Sequence, residues 1–191
     1  QSGGQGMRRL YLFDVDGTIL DSLEIIHQSM TKTFQEFGYT APSELETRSI
    51  IGLTLNLAIA QLLGRVVDEE AERMTVRYKE IFNEIYNAPS FSQSMFDGMA
   101  SVVSTLFEQR GSVLGMVTGK SRRGVEMFFT MHRLRSCFGP IRTADDCPSK
   151  PHPAMVLECC AESGFDASEA FVIGDSVFDM RMANAAGARA I

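Results

Sequence analysis

Short apolar runs that end directly in polar residues recur along this chain, and they restrict its possible folds more than any other feature. The runs occupy residues 10–13, 113–117 and 171–173, and a fourth begins at residue 188. A run that is apolar on both faces is typical of a strand buried inside a parallel sheet. Amphipathic segments separate the runs, and strands that alternate with helices predict a parallel α/β sheet with helices on both faces.

A long helical block separates the first two runs and predicts an insertion. Ser43 with Glu46 fits a capping box, and Asp68 can cap the helix that follows it. Pro89 ends the block, because proline cannot continue a helix. Apolar residues recur at helical spacing over residues 23–37, 55–63 and 71–85.

The second half of the chain predicts a regular alternation of strands and helices. Residues 132–150 lack a clear strand or helix pattern and are expected to form mainly loops. The helices are expected over residues 99–108, 122–131, 153–162 and 177–186.

The alternation and the insertion together predict two domains. We expect a doubly wound, Rossmann-like α/β core formed by residues 7–20 and 96–191. We expect a small α-helical cap, residues 21–95, inserted after the first strand. Residues 1–6 are glycine-rich and polar, and we expect a disordered tail or a cloning remnant there.

Charge and composition argue against several classes of function. The 18 basic and 24 acidic residues of this 191-residue chain leave a formal net charge of −6, so counterion release would not favour nucleic-acid binding. No apolar run approaches the ~20 residues that a membrane span requires, and the first residues carry no signal pattern. The four cysteines form no C-x-x-C pair. We therefore expect a cytoplasmic protein with buried, reduced thiols and without a nucleic-acid or membrane partner.

Polar residues follow three of the predicted strands, at the point where each strand ends. Asp14 and Asp16 follow the first strand, Thr118 follows the second and Asp175 the third, while Lys150 lies in a loop that can reach the same edge. The carboxyl ends of parallel strands face the ligand crevice of an open sheet. Carboxylates there can hold Mg²⁺, and a lysine with a hydroxyl can neutralise phosphoryl oxygens. The pattern predicts phosphoryl transfer to a carboxylate, with the second aspartate as acid and base.

Four segments resemble, in order and spacing, the motifs of the haloacid dehalogenase superfamily. The resemblance covers essentially residues 7–191, although the cap matches only by its helix pattern. The last motif continues in a way similar to phosphoglycolate phosphatase-like members. The segments are DVDGT at 14–18 followed by Asp21-Ser22, VLGMVT at 113–118, KPHP at 150–153 and GDSVFD at 174–179.

The resemblance implies catalytic and substrate-binding roles for the matching residues. Asp14 is implied to be the nucleophile that becomes an aspartyl-phosphate, and Asp16 is implied to be the general acid and base. Thr118 and Lys150 are implied to be catalytic as well, because they hold the phosphoryl group together with Gly119.

The resemblance also implies a cofactor and a reaction. Mg²⁺ would be held by Asp14, Asp175 and the backbone carbonyl of Asp16, and Asp179 would support the metal or the lysine. The expected activity is Mg²⁺-dependent hydrolysis of a small phosphorylated metabolite, either phosphoglycolate-like or a sugar phosphate.

Two other reactions of the superfamily fit the sequence less well. Dehalogenases lack the second acidic residue of the first motif, which is Asp16 here. Phosphomutases of the β-phosphoglucomutase type remain the alternative, but they carry a histidine at the position of Ile26, and His27 is one residue further on. Their cap arginine would fall on Leu55 if Gly52 is the corresponding loop glycine.

A signalling receiver domain is the alternative from a different class. It also combines aspartates, a hydroxyl residue and a lysine at parallel strand ends. A receiver has its acceptor aspartate on an internal strand and has no helical insertion. The order of the motifs and the inserted cap therefore favour the hydrolase.

The loop at residues 48–55 is expected to overhang the site, where Arg48 and Thr54 offer polar contacts. Lys120, Arg122 and Arg123 are candidates for contact with an anionic substrate, but we expect them to form a solvated basic face. Members of the resembled family continue past the position of Ile191, so we expect a partly uncovered sheet edge there.

Overall fold

The computed structural model of the protein describes residues 7–191, so the expectation for residues 1–6 lies outside the described residues. The strands are β1 (Arg9–Phe13), β2 (Ser112–Val117), β3 (Phe138–Arg142), β4 (Ala170–Ile173) and β5 (Arg189–Ala190). The helices are α1 (Leu23–Glu36), α2 (Glu44–Ile50), α3 (Leu55–Leu62), α4 (Glu69–Tyr86), α5 (Met99–Glu108), α6 (Arg122–His132), α7 (Ala154–Ser163) and α8 (Val177–Ala186). Among these helices, none is long and apolar enough to cross a membrane.

The strands form one parallel sheet in the order β3-β2-β1-β4-β5. The first strand of the chain is therefore the middle strand, and Leu12 pairs with Gly115 on one side and with Val172 on the other. As a result, the carboxyl ends of β2 and β4 flank the carboxyl end of β1. This arrangement brings the polar residues that follow the three strands to one place.

Side chains of β1 alternate between the two faces of the sheet, and each face has its own apolar cluster. Leu10 and Leu12 pack with residues of α7 and α8, whereas Tyr11 and Phe13 pack with residues of α5 and α6. Because both faces of β1 contact apolar side chains, its sequence is a continuous apolar run. The doubly wound α/β fold expected from the sequence is confirmed.

Helices α1–α4, which we call the cap, pack around a third apolar cluster of their own. The chain enters and leaves the cap through two adjacent linkers, which pair with each other. The N–H of Asp21 donates to the carbonyl of Ser94 at 3.0 Å, and the N–H of Phe96 donates to the carbonyl of Ile19 at 3.0 Å. The two linkers therefore lie side by side, and the division of the chain at residues 21 and 95 stays a prediction.

Strand β3 corrects the expectation that residues 132–150 form mainly loops. Its sequence, FGPIR, contains Gly139 and Pro140, which interrupt the apolar pattern that would identify a strand. Because β3 is an edge strand, it pairs only with β2, and an edge position tolerates the proline that a central strand would not. The remaining helices and strands start and end within two residues of the expected positions.

Candidate active site

The carboxyl edge of the sheet holds the nucleophile expected from the sequence, Asp14, at the end of the middle strand. The side chain of Asp14 is buried, and its N–H donates to the carbonyl of Ile173 at 2.9 Å, which extends the pairing with β4. Its Oδ1 accepts from the N–H of Val15 at 2.7 Å. The chain then turns at Gly17, where φ is +84° and a Cβ would lie 2.4 Å from Oδ2 of Asp175. The turn therefore requires glycine.

Lys150 occupies the centre of the site, between two carboxylates. Its Nζ lies 3.1 Å from Oδ1 of Asp14 and 2.6 Å from Oδ1 of Asp179, and all three side chains are buried. Oδ2 of Asp179 accepts from the Ser176 hydroxyl at 2.9 Å. Both oxygens of Asp179 are therefore engaged, and Asp179 positions Lys150 beside Asp14.

Burial and the nearest opposite charge shift the pKa values of these groups in opposite directions. Burial raises the pKa of Asp14 above its usual value, although the ammonium of Lys150 opposes that shift. Burial by itself would lower the pKa of Lys150, but Asp14 and Asp179 outweigh it and raise that pKa above its usual value. Burial also raises the pKa of Asp175, against the stabilising hydrogen bond from Thr18. The site holds more negative than positive charge, which favours an added cation.

Three carboxylates in this edge offer oxygens close enough to share a metal ion. One oxygen each of Asp14, Asp175 and Asp179 lies within 4.8 Å of the other two. Oδ2 of Asp14 is buried and has no hydrogen-bond partner among the described residues. A buried oxygen without a partner is costly unless a cation or donor meets it. Because both oxygens of Asp179 are already engaged, Asp14 and Asp175 fit a hard divalent cation best.

Asp16 follows Asp14 by two residues and lines the same cavity. Its Oδ1 accepts from the Ser22 hydroxyl at 2.8 Å. Lys120 donates to Oδ1 at 3.0 Å and to Oδ2 at 3.1 Å. Asp16 is therefore held in place by a hydroxyl and an ammonium group.

Thr118 and Gly119 follow β2 at the same edge. Thr118 is buried, and its N–H donates to the carbonyl of Arg142 at 3.1 Å, while its hydroxyl accepts from the N–H of Lys120 at 3.0 Å. The structure brings Thr118 and Gly119 to the cavity that also contains Asp14 and Asp16.

A cavity of about 690 Å³ lies between this edge and the cap. Its cap side includes the stacked rings of Tyr78 and Phe82, whose centroids are 6.1 Å apart. The loop after α2 lines the cavity on its cap side, and Thr54 is among the lining residues, as expected. Arg48, the other polar residue expected to overhang the site, instead pairs with Glu44 at an exposed position and is not among the lining residues.

The cap loop touches two core loops. A Cβ on Gly119 would lie 2.6 Å from the carbonyl oxygens of both Gly52 and Leu53, so these backbones are in direct contact. The N–H of Thr54 donates to the Ser149 hydroxyl at 3.0 Å. The cavity is therefore bounded by a cap that rests on the core.

Lys120 and Ser22 are the site residues whose contacts sequence reasoning missed. The expectation of a solvated basic face is wrong for Lys120, whose side chain is only 12% exposed, but it fits Arg122 and Arg123, which are exposed. The available signal for Lys120 was its position two residues after Thr118, at a strand end that faces the crevice.

The chain is similar to several known proteins. The family model described as "Haloacid dehalogenase-like hydrolase" matches residues 11–191. A phosphoglycolate phosphatase of Haemophilus influenzae (strain 86-028NP) is 30% identical over 189 residues, which cover 94% of this chain and 82% of that protein. A phosphoglycolate phosphatase of Vibrio cholerae is 28% identical over 185 residues, covering 94% and 81%.

Solved structures share the fold. A hydrolase from Pseudomonas syringae superposes with a TM-score of 0.83 at 21% identity, over 96% of this chain and 82% of that one. A subfamily IA hydrolase from Geobacter sulfurreducens has a TM-score of 0.65 at 26% identity, over 100% and 89%.

Proposed function

The chain belongs to the haloacid dehalogenase-like hydrolase family and is a phosphoric monoester hydrolase, and from this premise we propose that it hydrolyses a small phosphate monoester through an aspartyl-phosphate on Asp14. The observation that carries the proposal is the buried carboxylate of Asp14. Its Oδ2 has no partner among the described residues, and Lys150 lies 3.1 Å from its Oδ1. A carboxylate so placed can attack phosphorus while the lysine neutralises phosphoryl oxygens.

The proposed reaction has two steps. The carboxylate of Asp14 attacks phosphorus in line, the bond from phosphorus to the ester oxygen breaks, and Asp16 gives its proton to the leaving alcohol. Asp16 then takes a proton from water, and this water attacks phosphorus, which releases phosphate and restores Asp14. In both steps Lys150, the Thr118 hydroxyl and the backbone of Gly119 hold the phosphoryl oxygens.

We propose Mg²⁺ as the cofactor, held by Asp14, Asp175 and the backbone carbonyl of Asp16, with Asp179 supporting it through Lys150. When bound, the cation would offset the negative charge of the phosphate beside the carboxylates. The excess of buried carboxylates over ammonium groups at this edge supports the assignment.

The choice of a hydrolase over a mutase is supported by the contacts of the cap. Ile26, at the position where phosphomutases carry a histidine, lines the cavity. His27 is not among the lining residues, and its Nδ1 lies 2.8 Å from the Thr47 hydroxyl within the cap. The relatives named phosphoglycolate phosphatase support a small phosphorylated metabolite as substrate. We also propose a cytoplasmic location.

The test measures phosphate release from phosphoglycolate, hexose phosphates and an activated aryl phosphate, with Mg²⁺ and with chelator. We expect Mg²⁺-dependent release that Asp14→Asn abolishes, because the amide cannot attack phosphorus. Glu108→Gln, at an exposed carboxyl outside the cavity, should leave the rates unchanged. Turnover that persists in a folded Asp14→Asn variant would contradict the covalent scheme.

A further inference from the structure

Lys120 is a cation held inside the cavity between the core and the cap. Its Nζ lies 3.0 Å from Oδ1 of Asp16 and 5.8 Å from the centroid of the Phe82 ring in the cap. Its backbone is fixed at both ends, since its N–H donates to the Thr118 hydroxyl and its carbonyl accepts from the N–H of Ala144 at 2.9 Å. The backbone of Lys120 is therefore fixed, while its side chain can change partners inside the cavity.

The ion pair between Lys120 and Asp16 conflicts with the proposed reaction. Lys120 donates to both oxygens of Asp16, and the Ser22 hydroxyl donates to one of them. For Asp16 to meet the leaving oxygen of a substrate, the ammonium must release at least one carboxylate oxygen. Breaking a largely buried ion pair is costly unless the freed charge finds a new partner.

We propose that Lys120 binds a second anionic group of the substrate, a carboxylate close to the phosphate ester, and that this exchange of partners frees Asp16. Lys120 is thus a specificity-determining residue that selects carboxylate-bearing phosphate monoesters over neutral sugar phosphates. The inference rests on the proposed function and deepens it by naming the substrate class. A neutral ester would break the ion pair without offering the ammonium a replacement.

The other cations near the cavity are less suited to this task. Lys79 and Arg123 line the cavity but are exposed, so water screens their charge. The guanidinium of Arg122 pairs with Asp146. Lys150 is engaged by Asp14 and Asp179 at the phosphoryl end.

The test compares phosphoglycolate with its carboxamide, which has nearly the same shape but lacks the second charge. The wild-type protein should prefer the carboxylate in kcat/KM. In Lys120→Met the ratio of the two kcat/KM values should fall by about tenfold or more, as expected for a lost charge-assisted contact. Lys120→Arg should retain most of the preference, and the matched controls Lys79→Met and Arg123→Met should leave it unchanged.

A binding measurement separates this inference from the proposed function. Calorimetry on Asp14→Asn should show tighter binding of phosphoglycolate than of the carboxamide, and the double variant with Lys120→Met should lose that difference. A wild-type protein without the preference, or a Lys120→Met variant that weakens both compounds equally, would overturn the inference. Release of phosphate from neither ester, with the binding preference intact, would count against the proposed function and support the anion site.

Discussion

Lys150 is the residue on which the site depends most, because its ammonium group contacts two buried carboxylates. Its Nζ contacts Asp14 and Asp179, and none of the three side chains reaches solvent to a significant extent. Removing one partner of such a cluster leaves uncompensated buried charge. The residue thus contributes to folding as well as to the proposed catalysis.

We predict that Lys150→Met lowers the free energy of unfolding by about 3–5 kcal/mol at pH 7, the loss expected for a broken buried ion pair. The same change should weaken phosphoryl binding by several kcal/mol, roughly the contribution of one preorganised charge. Urea unfolding followed by circular dichroism measures the first effect. Lys79→Met, at an exposed lysine, is the control, and equal stability of the two variants would contradict the prediction.

The cysteines allow a prediction of chemical reactivity. Cys159 is fully buried, and this burial raises the pKa of its thiol from 9.0 to about 12. At pH 8, therefore, iodoacetamide should label the half-buried Cys137 while Cys159 stays unmodified, since only the thiolate reacts. Mass spectrometry of the native protein measures this, and rapid labelling of Cys159 without unfolding would refute it.

The same pKa shift has a consequence for stability. The folded-state pKa of Cys159 lies above the unfolded value. The contribution of this thiol to the free energy of unfolding is therefore fully present below about pH 9 and is lost as the pH rises toward 12. The stability of the wild-type protein should therefore decline more steeply over this range than that of Cys159→Ala.

At the scale of elements, the helix starts were predictable because their signals are local. The Ser43 hydroxyl accepts from the N–H of Glu46, and the Glu46 carboxylate accepts from the N–H of Ser43 at 2.7 Å. Asp68 accepts from the N–H of Ala71 at 2.8 Å. Each cap joins residues three apart in sequence, so neither depends on the rest of the fold.

The contact between the cap loop and the core loop leads to a prediction at this scale. Gly119→Ala would place a Cβ 2.6 Å from the carbonyl oxygens of Gly52 and Leu53, and backbone atoms must move to accept it. The cap should then sit farther from the core, and kcat/KM should fall by about 10- to 100-fold because the site is misplaced by roughly an ångström.

Steady-state kinetics on the variant measures this loss. Gly139→Ala is the matched control, because a Cβ there would meet only ordinary contacts at 3.6 Å. An active Gly119→Ala variant with wild-type kinetics would show that this contact does not matter for turnover.

At the scale of the whole molecule, the site exists only because β1 lies in the middle of the sheet. The ends of β2 and β4 flank it, so carboxylates separated by 161 residues in the chain, Asp14 and Asp175, come within reach of one cation. The cap then covers this edge with aromatic side chains.

We predict that Mg²⁺ stabilises the folded protein as a whole. At a concentration 100-fold above its Kd, a ligand bound only to the native state adds about 2.7 kcal/mol, which corresponds to a rise in Tm of about 5–10 °C for a chain of this length. Asp175→Asn should abolish most of the rise, whereas Glu108→Gln should not. Differential scanning calorimetry with Mg²⁺ and with chelator measures it, and an equal rise in Asp175→Asn would place the cation elsewhere.

The parallel α/β architecture, most helix boundaries and the residues at the sheet edge could be predicted from the sequence. Those features depend on period, caps and strand ends, which are local patterns. Strand β3 escaped detection because Gly139 and Pro140 hide an edge strand that only its pairing with β2 reveals. The tertiary structure is needed to show that Lys120 turns inward to Asp16, because a lysine three residues after a strand can equally well face water until the cap covers it.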